Sequence, residues 1–169
     1  ELKYGCNPSQ KNAGVYMMNY NDSPFKVING NLGYINLLDA LYSWQLVNEL
    51  SQTLSMTCAA SFKHTSPAGV GTSKKLNNIF SSIYNCNNID NLSDSAIAFL
   101  RARNTDPMSS FGDFIAISHE VDITCAELIK KEVSDGIIAP SYTSDALELL
   151  KSKRNGNYLI LEANKNYKN

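Results

Sequence analysis

The order of apolar periods along residues 37–161 restricts the fold more than any other feature. Leu37, Leu41, Trp44, Val47, Leu50 and Leu54 recur every three or four residues, as on one face of a helix, with Trp44 in the core. An apolar run over residues 57–63 follows at once, with the length and composition of a buried strand. The order then repeats. Helical patterns over 95–103, 124–132 and 143–153 lead into strand-type runs at 114–117, 137–139 and 158–161. A chain that alternates these two periods must bury a helix stripe against a sheet face, which predicts a layered α/β domain. Strands at 14–20 and 25–29, separated by Asn21-Asp22-Ser23-Pro24, predict a hairpin ahead of the first helix. Asn36 is the expected N-cap of that helix, with Asp39 in its first turn. Ser93 or Asp94 caps the 95–103 helix, Thr124 with Glu127 reads as a capping box, and Thr143 or Ser144 caps the last helix. Residues 74–84 read as a further helix, and 1–12 as a loop that is either a frayed terminus or a binding segment. With 169 residues, 43% of them hydrophobic, and no repeat or linker, one core is expected.

The candidate site grows out of the 57–63 strand. It stops at Lys63-His64 and gives way to Thr65-Ser66-Pro67-Ala68-Gly69-Val70-Gly71, read as a loop over 65–72. Two further loops, 106–113 and 134–136, also border predicted strands. Ligand groups gather at strand ends in layered α/β proteins, so the three loops can meet. Histidine is the natural general base near neutral pH, and a neighbouring lysine can hold an anionic oxygen or deliver a proton. The residues alone leave two readings open: a solvated strand end, or the edge of an active site. Asp113 and Asp135, each next to a glycine, are either turn residues or polar anchors for a substrate. Ser66, Ser109 and Ser110 lack a Gly-x-Ser-x-Gly elbow, and Ala68–Gly71 lacks the Walker lysine.

Composition narrows the partners. A net charge of -1 and 18% charged residues offer no basic face for nucleic acid, though one phosphate needs only a few local cations. Four scattered cysteines and two histidines do not make a zinc site, so no metal is expected. The absence of a leader pattern and of an apolar run near ~20 residues leads to the expectation of a cytoplasmic, membrane-free protein with reduced thiols. The ends at Glu1 and Asn169 read as cuts from a longer chain.

Several stretches, in collinear order, carry a resemblance. They are Leu2-Lys3-Tyr4-Gly5-x-Asn7-Pro8-x-Gln10, Asn29-Gly30, Ile35-Asn36-Leu37-x-Asp39-Ala40 and Ala60-Ser61-Phe62-Lys63-His64-x-Ser66-Pro67-Ala68-Gly69. Arg101-Ala102-Arg103, Asp106-x-Met108-Ser109-Ser110-Phe111-Gly112-Asp113-Phe114, Glu132–Pro140 and Lys153-x-Asn155-Gly156-Asn157-Tyr158 complete the set. Together they resemble the transformylase region of the bifunctional AICAR transformylase/IMP cyclohydrolase family, and Met-Ser-Ser-Phe-Gly-Asp is closer in style to its eukaryotic branch. The resemblance implies formyl transfer from 10-formyltetrahydrofolate, a co-substrate, to the 5-amino group of AICAR. It implies His64 as general base and Lys63 as oxyanion stabiliser and proton donor. Lys3, Tyr4, Gly112 and Asp135 are implied to contact the nucleotide, and Met108 to line the folate side.

The implied fold is a three-layer, cytidine-deaminase-like unit without the His-x-Glu and Pro-Cys-x-x-Cys zinc ligands. Residues 1–169 correspond to the first half of the transformylase region. The IMP cyclohydrolase domain and the second half lie outside it, so the chain alone is expected to be inactive, with an exposed apolar patch where that half docks. The family forms homodimers with active sites across the interface. Lys3 replaces the family's usual arginine, keeping the charge but losing the bidentate fork. The rival class is a non-catalytic half-domain that binds nucleotide or assembles with a partner.

Overall fold

The computed structural model describes residues 1–17, 23–76, 78–84 and 89–167. Among these, six strands share one mixed sheet: β1 (Phe25–Asn29), β2 (Cys58–Lys63), β3 (Ser66–Thr72), β4 (Asp113–Ile117), β5 (Ser134–Ala139) and β6 (Leu159–Ala163). Their order is β1-β6-β5-β4-β2-β3. The helices are α1 (Tyr34–Leu54), α2 (Asn78–Ile83), α3 (Asp94–Arg103), α4 (Ile123–Lys131) and α5 (Ser144–Lys151). Strands β4, β5 and β6 are parallel, joined by crossovers through α4 and α5, while β1 and β2 run antiparallel to their neighbours.

The two-residue alternation of the strands sorts the core into two faces. Ala60, Phe62, Phe114, Ala116, Ile138 and Leu161 pack under α1 through Leu37, Ala40, Trp44 and Val47. Ala59, Ile115, Ile117, Ile137 and Ile160 face the other way, against α3, α4 and α5. The result is the layered α/β arrangement that the alternating periods demand. Trp44, 7% exposed, is a core residue.

Local pattern misled where partners are remote. Of the hairpin expected from 14–20 and 25–29, residues 14–17 are not strand, and 18–22 lie outside the described residues. Instead β1 pairs with β6, Phe25 opposite Ala163, and the Asn29 side-chain amide donates to the Tyr158 carbonyl at 2.7 Å. The segment read as a loop over 65–72 is largely strand β3, at the sheet edge, where Pro67 is tolerated because an edge strand can spare an N–H. Residues 134–136 likewise belong to β5. Of the helix expected over 74–84, the described part is α2 alone.

The caps also shift. Ser93 caps α3 as expected, its hydroxyl accepting from Ala96 N at 3.2 Å. Helix α1 starts beyond Gly33, not at Asn36, and Asp39 lies in its second turn, buried. Asp122, not Thr124, caps α4 by accepting from Cys125 N at 3.0 Å, and the Thr124 hydroxyl donates to the same carboxylate. A carboxylate two residues earlier accepts both the orphan N–H and the threonine hydroxyl, so it takes the cap.

Glycines in β3 let α3 lie directly on the strand. A Cβ at Gly69 falls 2.1 Å from the Ala102 carbonyl oxygen, and one at Gly71 falls 2.5 Å from both Ala102 N and Ala98 O. Backbone cannot yield cheaply at such distances. Gly69→Ala is therefore expected to lower the unfolding free energy by about 2–3 kcal/mol in chemical denaturation, as overpacking does. The exposed neighbour Val70→Thr should change it by less than about 0.5 kcal/mol.

Candidate active site at one end of the sheet

β2 and β3 are joined by His64 and Thr65, with Lys63 opposite Ser66. Both turn residues have positive φ, 51° and 65°, the signature of a tight type I′ hairpin turn. Neither is Gly or Asn, so the left-handed backbone carries strain of roughly 1–2 kcal/mol per residue. A carboxylate holds it: Thr65 N donates to Asp39 Oδ1 at 2.6 Å, reaching across from α1. His64 is exposed at the tip.

Lys63 points to the neighbouring loop. Its ammonium donates to the carbonyl oxygens of Phe111 at 2.7 Å and Gly112 at 2.9 Å. An ammonium has three donors, so one remains for a ligand. Gly112 has φ 73°, and a Cβ there would lie 2.9 Å from the Lys63 nitrogen. Glycine is favoured there by the left-handed backbone, and a Cβ would also displace the Lys63 nitrogen.

The loop is fixed from beneath. Arg103, closing α3, donates to Asp113 Oδ1 at 2.6 Å and to the Ser110 carbonyl, and its other nitrogen pairs with Glu132 at 3.1 Å. Ser61 on β2 donates to Asp113 Oδ2 at 2.6 Å, and Ser110 Oγ lies 2.8 Å from the same serine. Gly112 N donates to the Val133 carbonyl at 2.8 Å. Asp113 is fully buried in this network. It is a framework residue, not a turn residue or a substrate anchor.

The remaining candidates lie at the same end of the sheet. Asp135, in β5, is half-exposed and paired with Arg154 at 2.8 Å. Lys3 is exposed, its backbone N–H donating to Leu32 O at 2.8 Å. The Tyr4 ring lies over Gly33, where a Cβ would meet its Cζ at 2.7 Å, at the start of α1. Met108 is 90% exposed and Phe111 63% exposed on the 104–112 loop. The structure therefore joins Lys63 directly to Gly112 and gathers Asp39 and Asp135 around the turn. Among the described residues, the side chains of Lys3 and Met108 make no hydrogen bond to the pair. This end carries the carboxyl terminus of β2 but the amino termini of β4, β5 and β6.

The role of Asp39 at the turn was missed from sequence. Burial pushes its carboxyl up from the ordinary value, while the Thr65 N–H and the nearby charges of His64 and Lys63 pull down and Asp135 pushes up. The signal was available: position 39 falls on the buried side of α1 with Ala40 and Ser43. Arg103, likewise, sits among apolar residues of α3. Among the described residues no His, Cys, Asp and Glu cluster could hold a metal, and no helix is long and apolar enough to cross a membrane.

Fold and site define a layered α/β domain that presents a lysine and a histidine at one sheet end. The AICARFT/IMPCHase bienzyme family matches residues 1–169, and the chain belongs to that family. The bifunctional purine biosynthesis protein PurH of Fusobacterium nucleatum is 34% identical over 159 residues, covering 92% of this chain and 27% of that protein. PurH of Elusimicrobium minutum is 32% identical over 156 residues, covering 92% and 25%. The chain thus spans about a quarter of the length of these curated relatives. Among solved structures, a mutant of NE0047 in complex with 8-azaguanine superposes with a TM-score of 0.37 and 12% identity, covering 73% of this chain and 65% of that one. That likeness is too low to carry an argument.

Two outcomes follow. Arg103→Met leaves Asp113 buried without its cation and should cost about 3–5 kcal/mol in chemical denaturation, more than Arg103→Met with Asp113→Asn. Asp39 binds its proton more tightly folded than unfolded, because its carboxyl is raised. Its contribution to stability is full below the ordinary carboxylate range and is lost as pH rises through its own midpoint. Asp39→Asn should flatten that decline in a series of unfolding curves across acidic pH.

Proposed function

We propose that this chain supplies the first half of the transformylase unit in a longer bienzyme, moving a formyl group from 10-formyltetrahydrofolate to the 5-amino group of AICAR. What supports the reading is the convergence of Lys63, His64, Gly112 and Asp135 at one sheet end, in a chain of this family. The amine of AICAR is a poor nucleophile, because its lone pair is delocalised into the imidazole and carboxamide. His64 takes its proton, relayed through the carboxamide, as the new bond to the formyl carbon forms. The third N–H of Lys63 stabilises the oxygen that gains negative charge, and Lys63 then protonates the folate nitrogen as its bond to the formyl carbon breaks. One proton leaves the amine and one arrives at the folate nitrogen, so the exchange balances once His64 and Lys63 re-equilibrate with solvent.

In this reading Lys3 and Tyr4 contact the nucleotide, Lys3 as a point charge where the family's arginine would grip bidentately. Gly112 and Asp135 meet the base and carboxamide side. Met108, exposed on its loop, lines the folate side. The sheet is the cytidine-deaminase-like unit without its zinc ligands, and the chemistry needs no metal. A second half and a homodimer partner complete the pocket, in the cytoplasm.

In the longer protein, His64→Ala should lower kcat for formyl transfer by about 10²–10⁴-fold while AICAR affinity changes little. Near-normal kcat in that variant removes the base assignment. A wild-type protein that binds AICAR but transfers no formyl group favours the non-catalytic half-domain.

A further inference from the structure

Beneath the His64–Thr65 turn lies a carboxylate that the roles above do not use. Asp39 is 5% exposed, on a helix face otherwise occupied by Leu37, Ala40, Ser43, Trp44 and Val47. A charged side chain is seldom kept in such a place without a partner. Its hydrogen bond is to the turn: Thr65 N donates to Oδ1 at 2.6 Å. The groups that act on it electrostatically are His64 in the turn, Lys63 on β2 and Asp135 on β5, the last paired with Arg154. Two of these are the residues at the centre of the proposed chemistry.

We infer that Asp39 is a positioning residue for the Lys63–His64 pair, tying the hairpin tip to α1 through Thr65 N–H and setting a negative charge beside the Lys63 ammonium and the His64 imidazole. The two functions separate chemically. A backbone N–H needs only an oxygen to accept it, so an amide serves. The charge needs a carboxylate. Without the tether, no other side chain from outside the hairpin, among the described residues, is hydrogen-bonded to the two-residue turn with positive φ at His64 and Thr65. The imidazole then samples many positions, and a displacement of about 1 Å is enough to cost on the order of 100-fold in rate. Without the charge, the turn stays but the site gains net positive potential.

The inference rests on the formyl-transfer reading only for its kinetic arm. Asp39→Asn and Asp39→Ala are compared with wild type in two measurements. In this chain, amide exchange followed by NMR should show Thr65 N–H protected in wild type and in Asp39→Asn, and at least about tenfold less protected in Asp39→Ala. In the longer protein, Asp39→Asn should lower kcat for formyl transfer about tenfold with the AICAR KM within about twofold, at an unfolding midpoint close to wild type. Unchanged Thr65 protection in Asp39→Ala overturns the tether. Unchanged kcat in Asp39→Asn, against an active wild type, overturns the charge role. An inactive wild type refutes the formyl-transfer reading instead, and Thr65 protection still decides whether Asp39 holds the turn. If Asp39→Ala does not fold, a titration of wild type decides the same point: the Thr65 amide proton should move with pH through the raised midpoint of Asp39, and an amide that does not move contradicts the tether.

Discussion

The buried pair between Arg103 and Asp113 is the constraint from which the site end of the molecule is built. Arg103 ends α3 and Asp113 begins β4, so the pair closes the nine-residue loop between them. Its geometry is satisfied on every side: Ser61 from β2, the Ser110 carbonyl from the loop, and Glu132 ahead of β5. A buried ion pair is not in itself a strong source of stability, because desolvation offsets most of its Coulomb gain. Its effect here is geometric. Five segments meet at one guanidinium and one carboxylate, and the loop carbonyls of Phe111 and Gly112 are thereby fixed in space. Those carbonyls hold the Lys63 ammonium.

Further constraints act on the hairpin from both sides of the sheet. α1 supplies Asp39, which holds the hairpin tip, and α3 lies on Gly69 and Gly71 of the strand that leaves the tip. Lys63 and His64 are therefore neighbours in sequence but held by different supports, one by the 104–112 loop and one by the turn and α1. Two residues adjacent in sequence are thus held independently at the strand end, as the proposed pocket requires.

Much of this was legible in the sequence, and the limits have physical reasons. The helix-then-strand order gave the layers, because periodicity is local and the core must follow it. Lys63-His64 stood out because an apolar strand stopped there. Strand β3 was hidden because Pro67, Gly69 and Gly71 carry turn chemistry, and only the close approach of α3 shows why glycine suits a strand there. The partner of β1 was hidden because it lies more than 130 residues away. Asp39 reads from sequence as a first-turn residue of its helix, and its burial against Thr65 shows its use. Local pattern offers Asp135 as a turn residue or anchor and 1–12 as a binding segment, but the particular roles of Lys3, Tyr4, Gly112, Asp135 and Met108 come from resemblance.

The position of the site is unusual for a sheet with parallel strands, since ligands in open α/β sheets settle beyond the carboxyl ends. Here the carboxyl end of β2 and the amino ends of β4, β5 and β6 form the proposed pocket, because β2 runs antiparallel to β4. The most direct test is a structure of the longer protein with AICAR bound. The account predicts the AICAR amine beside His64 and Lys63, with Gly112 and Asp135 at the carboxamide side. Nucleotide bound instead beyond the carboxyl ends of β4–β6, near His119, would contradict it.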